Sequence, residues 1–408
     1  MPVNEYMSPN EYLRQLRARP IEAESPFPVE EYQVRITAVR KEMISRDLDA
    51  LLVSVPSNMH YLVGYNTLGV DNFTCVLLPL EGELAAFSIS SELPSIALAA
   101  PWVKDLTAFA WPWQTQVSPL IADKLKEKGL EKKRIGIELE RGGPIPKIFR
   151  ELEDLCPNAS IVDCSGIIEP IKVVKTEREL EVMREAGRIT SMAINRAMEA
   201  IRPGMTDNDV AAVGYEALIA GGSEFMSLHP ILTAGERISF HHTSFRRNKL
   251  NVGDPVFLEY GARYHGYHAP MMRTAIIGPP SDHQKRICDA VLTTLNLVIE
   301  NARAGRTARE VAVEAYRGFA GLQDEVWFMG VYGYSIGSGF PPNWADCQSF
   351  IHEDVKTPLL SGMTFHLPIV FRLPRQWGIG MSETIAINEV GCEVLTEQAR
   401  DIFVAPAK

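Results

Sequence analysis

Apolar residues recur in two different rhythms along the chain, and the change falls near residue 176. In the first part, short unbroken runs at residues 49–55 (DALLVSV), 74–80 and 134–138 (RIGIE) alternate with stretches 31–46 and 120–128, where apolar positions return every three or four residues. The short runs predict buried strands and the longer spacing predicts amphipathic helices. Their alternation predicts an α/β layer. Residues 167–176 (IIEPIKVVKT) read as a crossing strand followed by a polar hinge, which divides the chain into domains at 1–175 and 176–408. Residues 1–25, with their Pro- and Glu-rich end, read as an arm.

From residue 177 helical spacing takes over, through Leu180, Met183, Ala186, Ile189 and Met192, and Pro203-Gly204 ends that helix. The stretch RPGMTDNDVAAVGY at residues 202–215 then returns 101 residues later as RAGRTAREVAVEAY at 303–316, with Arg, Gly, Thr, Val, Ala and Tyr in matching places. The long helix before the second copy opens with the capping box Ser281-x-x-Gln284, and the second copy itself with Thr307-x-x-Glu310. Strand-like runs follow each copy, at residues 255–260 and 274–278 and at 363–371 and 383–388. A repeat of this length is too long for a solenoid. It predicts a pseudo-two-fold domain of two helix–helix–hairpin halves, with the functional cleft where they meet.

Composition narrows the function. The 408 residues are 46% hydrophobic and 23% charged, as in ordinary folded proteins. A formal net charge of -10 repels phosphate backbones and argues against a nucleic-acid partner. Six cysteines with no CxxC pair fit the reduced thiols of a cytoplasmic protein. The N-terminus lacks the order of a signal peptide, and no apolar run approaches the ~20 residues that span a bilayer, so no membrane partner is expected.

HExxH, Walker, GxGxxG and GxSxG motifs are absent, while eight of nine histidines lie between His229 and His366. His241-His242 occupies the polar segment HHTSFRR, and His265 and His268 follow in ARYHGYHAPMMR. Glu259, in VFLEYGARY, places a carboxylate among apolar strand neighbours, where it needs a partner or a shifted pKa. Glu383, in GMSETIAIN, does the same in the other half-repeat. Two such carboxylates could bind a metal, hold an amidinium, or act as nucleophile and base. The Gly-rich GYSIGSGFPPNW, residues 333–344, reads as a loop presenting Tyr334 and Trp344 to a small ligand. Trp111-Pro112-Trp113 reads as an edge-strand plug or a dimer contact.

At these residues a family is recognisable. GDPVFLEYGARYHGYHAPMMRT resembles the GD-[LV]-V-x-x-D-x-G…GY-x-x-D-x-x-R-T segment of the creatinase/aminopeptidase P superfamily, and TERELEVMREAGRIT, SGMTFHLP and ETIAINEVGCEVLT fit the same pattern. PSNMHYLVGY resembles the N-terminal domain of that family more loosely. The resemblance implies an α/β (α+β) protein: a creatinase-type N-terminal domain, then a "pita-bread" catalytic domain whose internal two-fold agrees with the repeat. It also implies a homodimer. The peptidase branch holds two divalent metals with Asp, Asp, His, Glu and Glu; the matching positions here are Glu259, Pro270, Tyr334, Pro368 and Glu383. That set implies no bound metal, no other cofactor and no metallopeptidase activity.

The family histidine twelve residues before Asp254 falls on His242. Members without metals that keep it include creatinase and ectoine hydrolase. GYSIGSGFPPNW, LEYGARYHGYHAP and FHLP look more like the ectoine hydrolases, although GYNTLGVDNFTC lacks their aromatic-rich run. The resemblance therefore implies metal-independent hydrolysis of a C–N bond in a small zwitterionic or cationic amidine. Ectoine opening to N-acetyl-diaminobutyrate comes first and creatine hydrolysis second. Glu259, His242 and Glu383 would be catalytic, with His268, Tyr334 and His366 lining the pocket. An osmolyte C–S lyase and a non-catalytic binding protein are the alternatives.

Overall fold

A computed structural model describes residues 7–70, 72–110, 116–139 and 146–408. The chain divides into two compact units, Met1–Lys172 and Val173–Lys408. Trp111, Pro112 and Trp113 lie outside the described residues.

The first unit opens with α1 (Pro9–Leu16) and α2 (Val29–Ser45). Then come β1 (Ala50–Val53), α3 (Pro56–Val63), β2 (Cys75–Pro79), β3 (Ala85–Ile89), α4 (Leu93–Ala99) and β4 (Asp105–Phe109). It closes with α5 (Val117–Glu127), β5 (Arg134–Ile137), α6 (Pro146–Leu155), β6 (Ser160–Asp163) and α7 (Glu169–Lys172). Its mixed sheet has the order β4-β3-β2-β1-β5-β6. Strand alternation explains its unbroken apolar runs: Leu51 and Val53 pack with α2 and α4 on one face, while Ala50 and Leu52 pack with α5 and α6 on the other. Two expectations change here. The arm contains a helix whose Leu13 joins the core, begun by the Ser8 cap and Pro9. Residues 167–176 hold α7 rather than a strand, because Pro170 has no N–H to give a ladder and suits the first turn of a helix.

Helix α3 has no side-chain cap of its own. Buried Glu138, at the end of β5, instead fixes the turn that leads into it, accepting the backbone N–H groups of Ser54 (2.8 Å) and Val55 (3.0 Å) and a proton of the Asn58 side-chain amide at 2.6 Å. Burial pushes its pKa up to about 7. Glu138→Ala leaves those donors unpaired and is expected to lower unfolding stability by about 3 kcal/mol in a urea titration.

The second unit contains α8 (Glu177–Ala200), α9 (Asp207–Ala220), β7 (Ile231–Ala234), β8 (Pro255–Tyr260), β9 (Arg263–Tyr264), β10 (Tyr267–His268) and β11 (Met271–Ile277). Its second half brings α10 (Asp282–Asn301), α11 (Ala308–Phe319), β12 (Gly333–Phe340), β13 (Asn343–Ile351), β14 (Thr364–His366), β15 (Ile369–Leu373), β16 (Trp377–Met381), β17 (Thr384–Ile387), β18 (Cys392–Val394) and β19 (Phe403–Ala405). The repeat is structural. All four long helices begin in capping boxes, and Gly204 and Gly305, 101 residues apart, share left-handed φ angles of 88° and 84°. Helices α8 and α9 share a core with β8 and β11, and α10 and α11 share one with β14, β15 and β17.

Two runs differ from the sequence reading. Residues 363–371 are split at Pro368, which cannot donate to a ladder, so β14 joins the seven-stranded sheet and β15 pairs with β16. Residues 333–344 form strand β12 and its turn into β13, rather than a loop. Glycine there permits close contact, since a Cβ on Gly339 would lie 2.7 Å from the Trp344 backbone. No helix among the described residues is long and apolar enough to cross a membrane.

Candidate active site

Strand β8 is buried on both faces, and its alternation separates two tasks. Val256, Leu258 and Tyr260 enter the core beneath α8 and α9. Phe257 and Glu259 point the other way, beside Ile231 and Thr233 of β7 and Met272 of β11, into a cavity of about 610 Å³. Ile231, Ile238, Phe257, Met272 and Val370 form its apolar floor. Tyr334, Trp344 and Phe350 make an aromatic wall, while Phe240, His241 and His242 stand at the more exposed side.

Glu259 is 7% exposed, and among the described residues nothing hydrogen-bonds to its carboxylate. Burial raises its pKa to about 8, against a lowering pull from Arg372. Arg372, 8% exposed, lines the same cavity, and burial brings its own pKa down to about 10. His241 and His242 stack edge-to-face with centroids 4.3 Å apart. Partial burial, with the field of Arg372, holds His241 down at about 4 and lowers His242 as well. Both rings are thus proton acceptors at neutral pH. His242 sits at φ 53°, in the left-handed region a histidine seldom adopts, within a segment tied by Arg237 Nη2 to Ser244 O (2.9 Å) and by Ser244 Oγ to Pro230 O (3.1 Å).

Behind the aromatic wall runs a neutral chain of hydrogen bonds. Tyr334 and His366 are direct cross-strand partners on β12 and β14. Ser382 Oγ accepts the Met272 N–H at 2.6 Å, so its own proton goes to His366 Nε2, also 2.6 Å away. On that assignment His366 donates from Nδ1 to the Tyr334 phenol (2.7 Å), which also accepts the Trp344 indole N–H at 2.9 Å. Burial brings the His366 pKa down to about 3, so the ring is neutral.

The structure thus brings Glu259, His242 and Tyr334 to one cavity and sets His366 behind Tyr334. It does not bring Glu383 there. That carboxylate is fully buried and held by Arg273 Nη2 (2.6 Å), Arg400 Nε (3.2 Å) and the Thr396 hydroxyl, as a buried ion pair outside the cavity lining. His268 also stays off the cavity, buried with Nδ1 3.4 Å from Gly337 O. The sequence reading missed Arg372, although IVFRL carries the same signal as VFLEY, a charge in an apolar strand. Among the described residues, no three His, Cys, Asp or Glu side chains gather as metal ligands.

Residues 181–389 match the metallopeptidase family M24, and residues 35–174 match the creatinase/prolidase N-terminal domain. The ectoine hydrolase of Halomonas elongata is 29% identical over 94% of this chain and 100% of its own. The Xaa-Pro dipeptidase of Pyrococcus furiosus is 24% identical over 90% of this chain and 99% of its own. Among solved structures, the prolidase of Thermococcus sibiricus superposes with a TM-score of 0.81 at 22% identity, covering 91% of this chain and 99% of that one.

Proposed function

The chain belongs to metallopeptidase family M24, and from that membership, with donors that do not suit a divalent-metal pair, we propose that it is a metal-independent hydrolase of a C–N bond in a small zwitterionic amidine, with ectoine as the first substrate. The observation that carries this reading is Glu259. A buried carboxyl group with no hydrogen-bond partner among the described residues, on an apolar floor, suits an amidinium whose two N–H groups would ionise it and pair with it. The likeness to an ectoine hydrolase along 94% of the chain supports the substrate class.

In the proposed reaction Glu259 fixes the amidinium, and neutral His242 takes a proton as water adds to the amidine carbon. The C–N bond of the tetrahedral adduct then breaks as the imidazolium returns that proton to the leaving nitrogen, and the proton of the adduct's hydroxyl follows to the same nitrogen through the freed imidazole, leaving a C=O and an ammonium. One water is consumed and the single positive charge passes from amidinium to ammonium, giving a ring-opened N-acetyl-diaminobutyrate. The Xaa-Pro dipeptidase relatives make peptide cleavage the rival, and its carboxylate- and histidine-rich metal chemistry has no donor set among the described residues.

Proton NMR of chelator-treated protein with ectoine, creatine and an Xaa-Pro dipeptide together tests the reading. Conversion of ectoine alone is the expected result. Cleavage of the dipeptide, or a requirement for added divalent ions, overturns it.

A further inference from the structure

Arg372 is not used by the reaction just described, and its surroundings are unusual. Along β15, Ile369, Phe371 and Leu373 point into the second-half core, whereas Val370 and Arg372 face the cavity. The Arg372 Nε–H is taken by Ile238 O at 3.1 Å, and its guanidinium stands 5.7 Å from the Trp327 ring. No described residue accepts from its two Nη groups, and no carboxylate pairs with them. The other deeply buried arginines of this unit are occupied differently: Arg273 holds Glu383 at 2.6 Å and Arg263 holds Glu224 at 2.8 Å. A buried guanidinium needs an anion. Glu259, the one carboxyl group among the described residues of the cavity lining, does not meet Arg372 in an ion pair.

Resting on the reading above, we propose that the Nη edge of Arg372 is a carboxylate subsite, so that the cavity selects a zwitterion with its anion on Arg372 and its cation on Glu259. The planar fork fits a carboxylate through two parallel hydrogen bonds. A phosphate dianion is disfavoured, because one guanidinium would face it alone with a carboxylate in the same cavity. Arg372 and Glu259 are the guanidinium and the carboxyl group of the described lining, and the apolar floor between them suits a small ring.

Calorimetric titration of the full chain with pipecolate and with piperidine tests this subsite. Pipecolate is a zwitterionic six-membered ring with no hydrolysable C–N bond, and piperidine is the same ring without the carboxylate. Wild type is expected to bind pipecolate about 100-fold more tightly. Arg372→Met should abolish that preference, and Arg372→Lys, which keeps the charge but not the fork, should retain about a tenth of it. Equal affinities in wild type, no binding of pipecolate, or a preference that survives in Arg372→Met overturns the proposal. Ectoine turnover is followed in the same preparations. Pipecolate preference without turnover removes the hydrolase reading and leaves the subsite, whereas turnover without preference does the reverse.

Discussion

Glu259→Gln is expected to cut turnover of ectoine by about 10²–10⁴-fold while the protein remains folded. Gln keeps the shape but cannot carry the charge that pairs with an amidinium. Stability should move the opposite way, and the sign follows from proton binding. The folded carboxylate titrates at about 8, against an ordinary value of 4.5, so between those values the native state holds more protons than the unfolded chain. Stability contributed at this position is therefore lost as pH rises from 4.5 to about 8, and levels off above. Melting curves of wild type and Glu259→Gln should diverge across that window, with the variant increasingly the more stable. For a permanently cationic amidine, kcat/KM of wild type should rise with pH through about 8. Near-normal turnover in the variant would sink the assignment. Turnover in heavy-oxygen water, with mass spectrometry of the Glu259 peptide, separates two forms of the reaction. Label in the peptide marks attack by the carboxylate itself, and its absence marks direct attack by water.

The second large effect belongs to Glu383, and it is structural. Glu383→Ala leaves Arg273, 1% exposed, without its counter-charge, and removal of one partner from a buried pair costs about 3–5 kcal/mol. Urea unfolding should show that loss. Turnover per folded molecule should stay within about tenfold of wild type, far above the residual activity of Glu259→Gln. Normal stability with abolished turnover would return Glu383 to the chemistry.

These two glutamates mark how far the sequence could be read. Both stood out as carboxylates in apolar strand patterns, and that signal says only that a partner or a shifted proton affinity is required. What separates them lies far along the chain: Arg273 is 110 residues from Glu383, and no local pattern joins the two. The repeat was legible because caps and turns are local, as Thr206 and Thr307 show by bonding to residues three positions on. Pro368 was visible, yet its division of one apolar run between two sheets depends on partners supplied by β12 and β16. The chain Trp344–Tyr334–His366–Ser382 depends on strand register, which sequence alone leaves open.

Strand β8 and its neighbours also bear on how such a protein can diverge. Residues 256, 258 and 260 belong to the packed interior, so substitutions there are felt by the whole unit. Residues 231, 233, 257 and 272 face the cavity from the same strands, and a change at any of them alters its shape while the helix-covered side keeps its contacts. A six-residue strand thus keeps two ledgers apart, one for survival of the fold and one for choice of ligand. New ligand preferences can be acquired by single steps at alternate positions, with little demand for compensating change in the core.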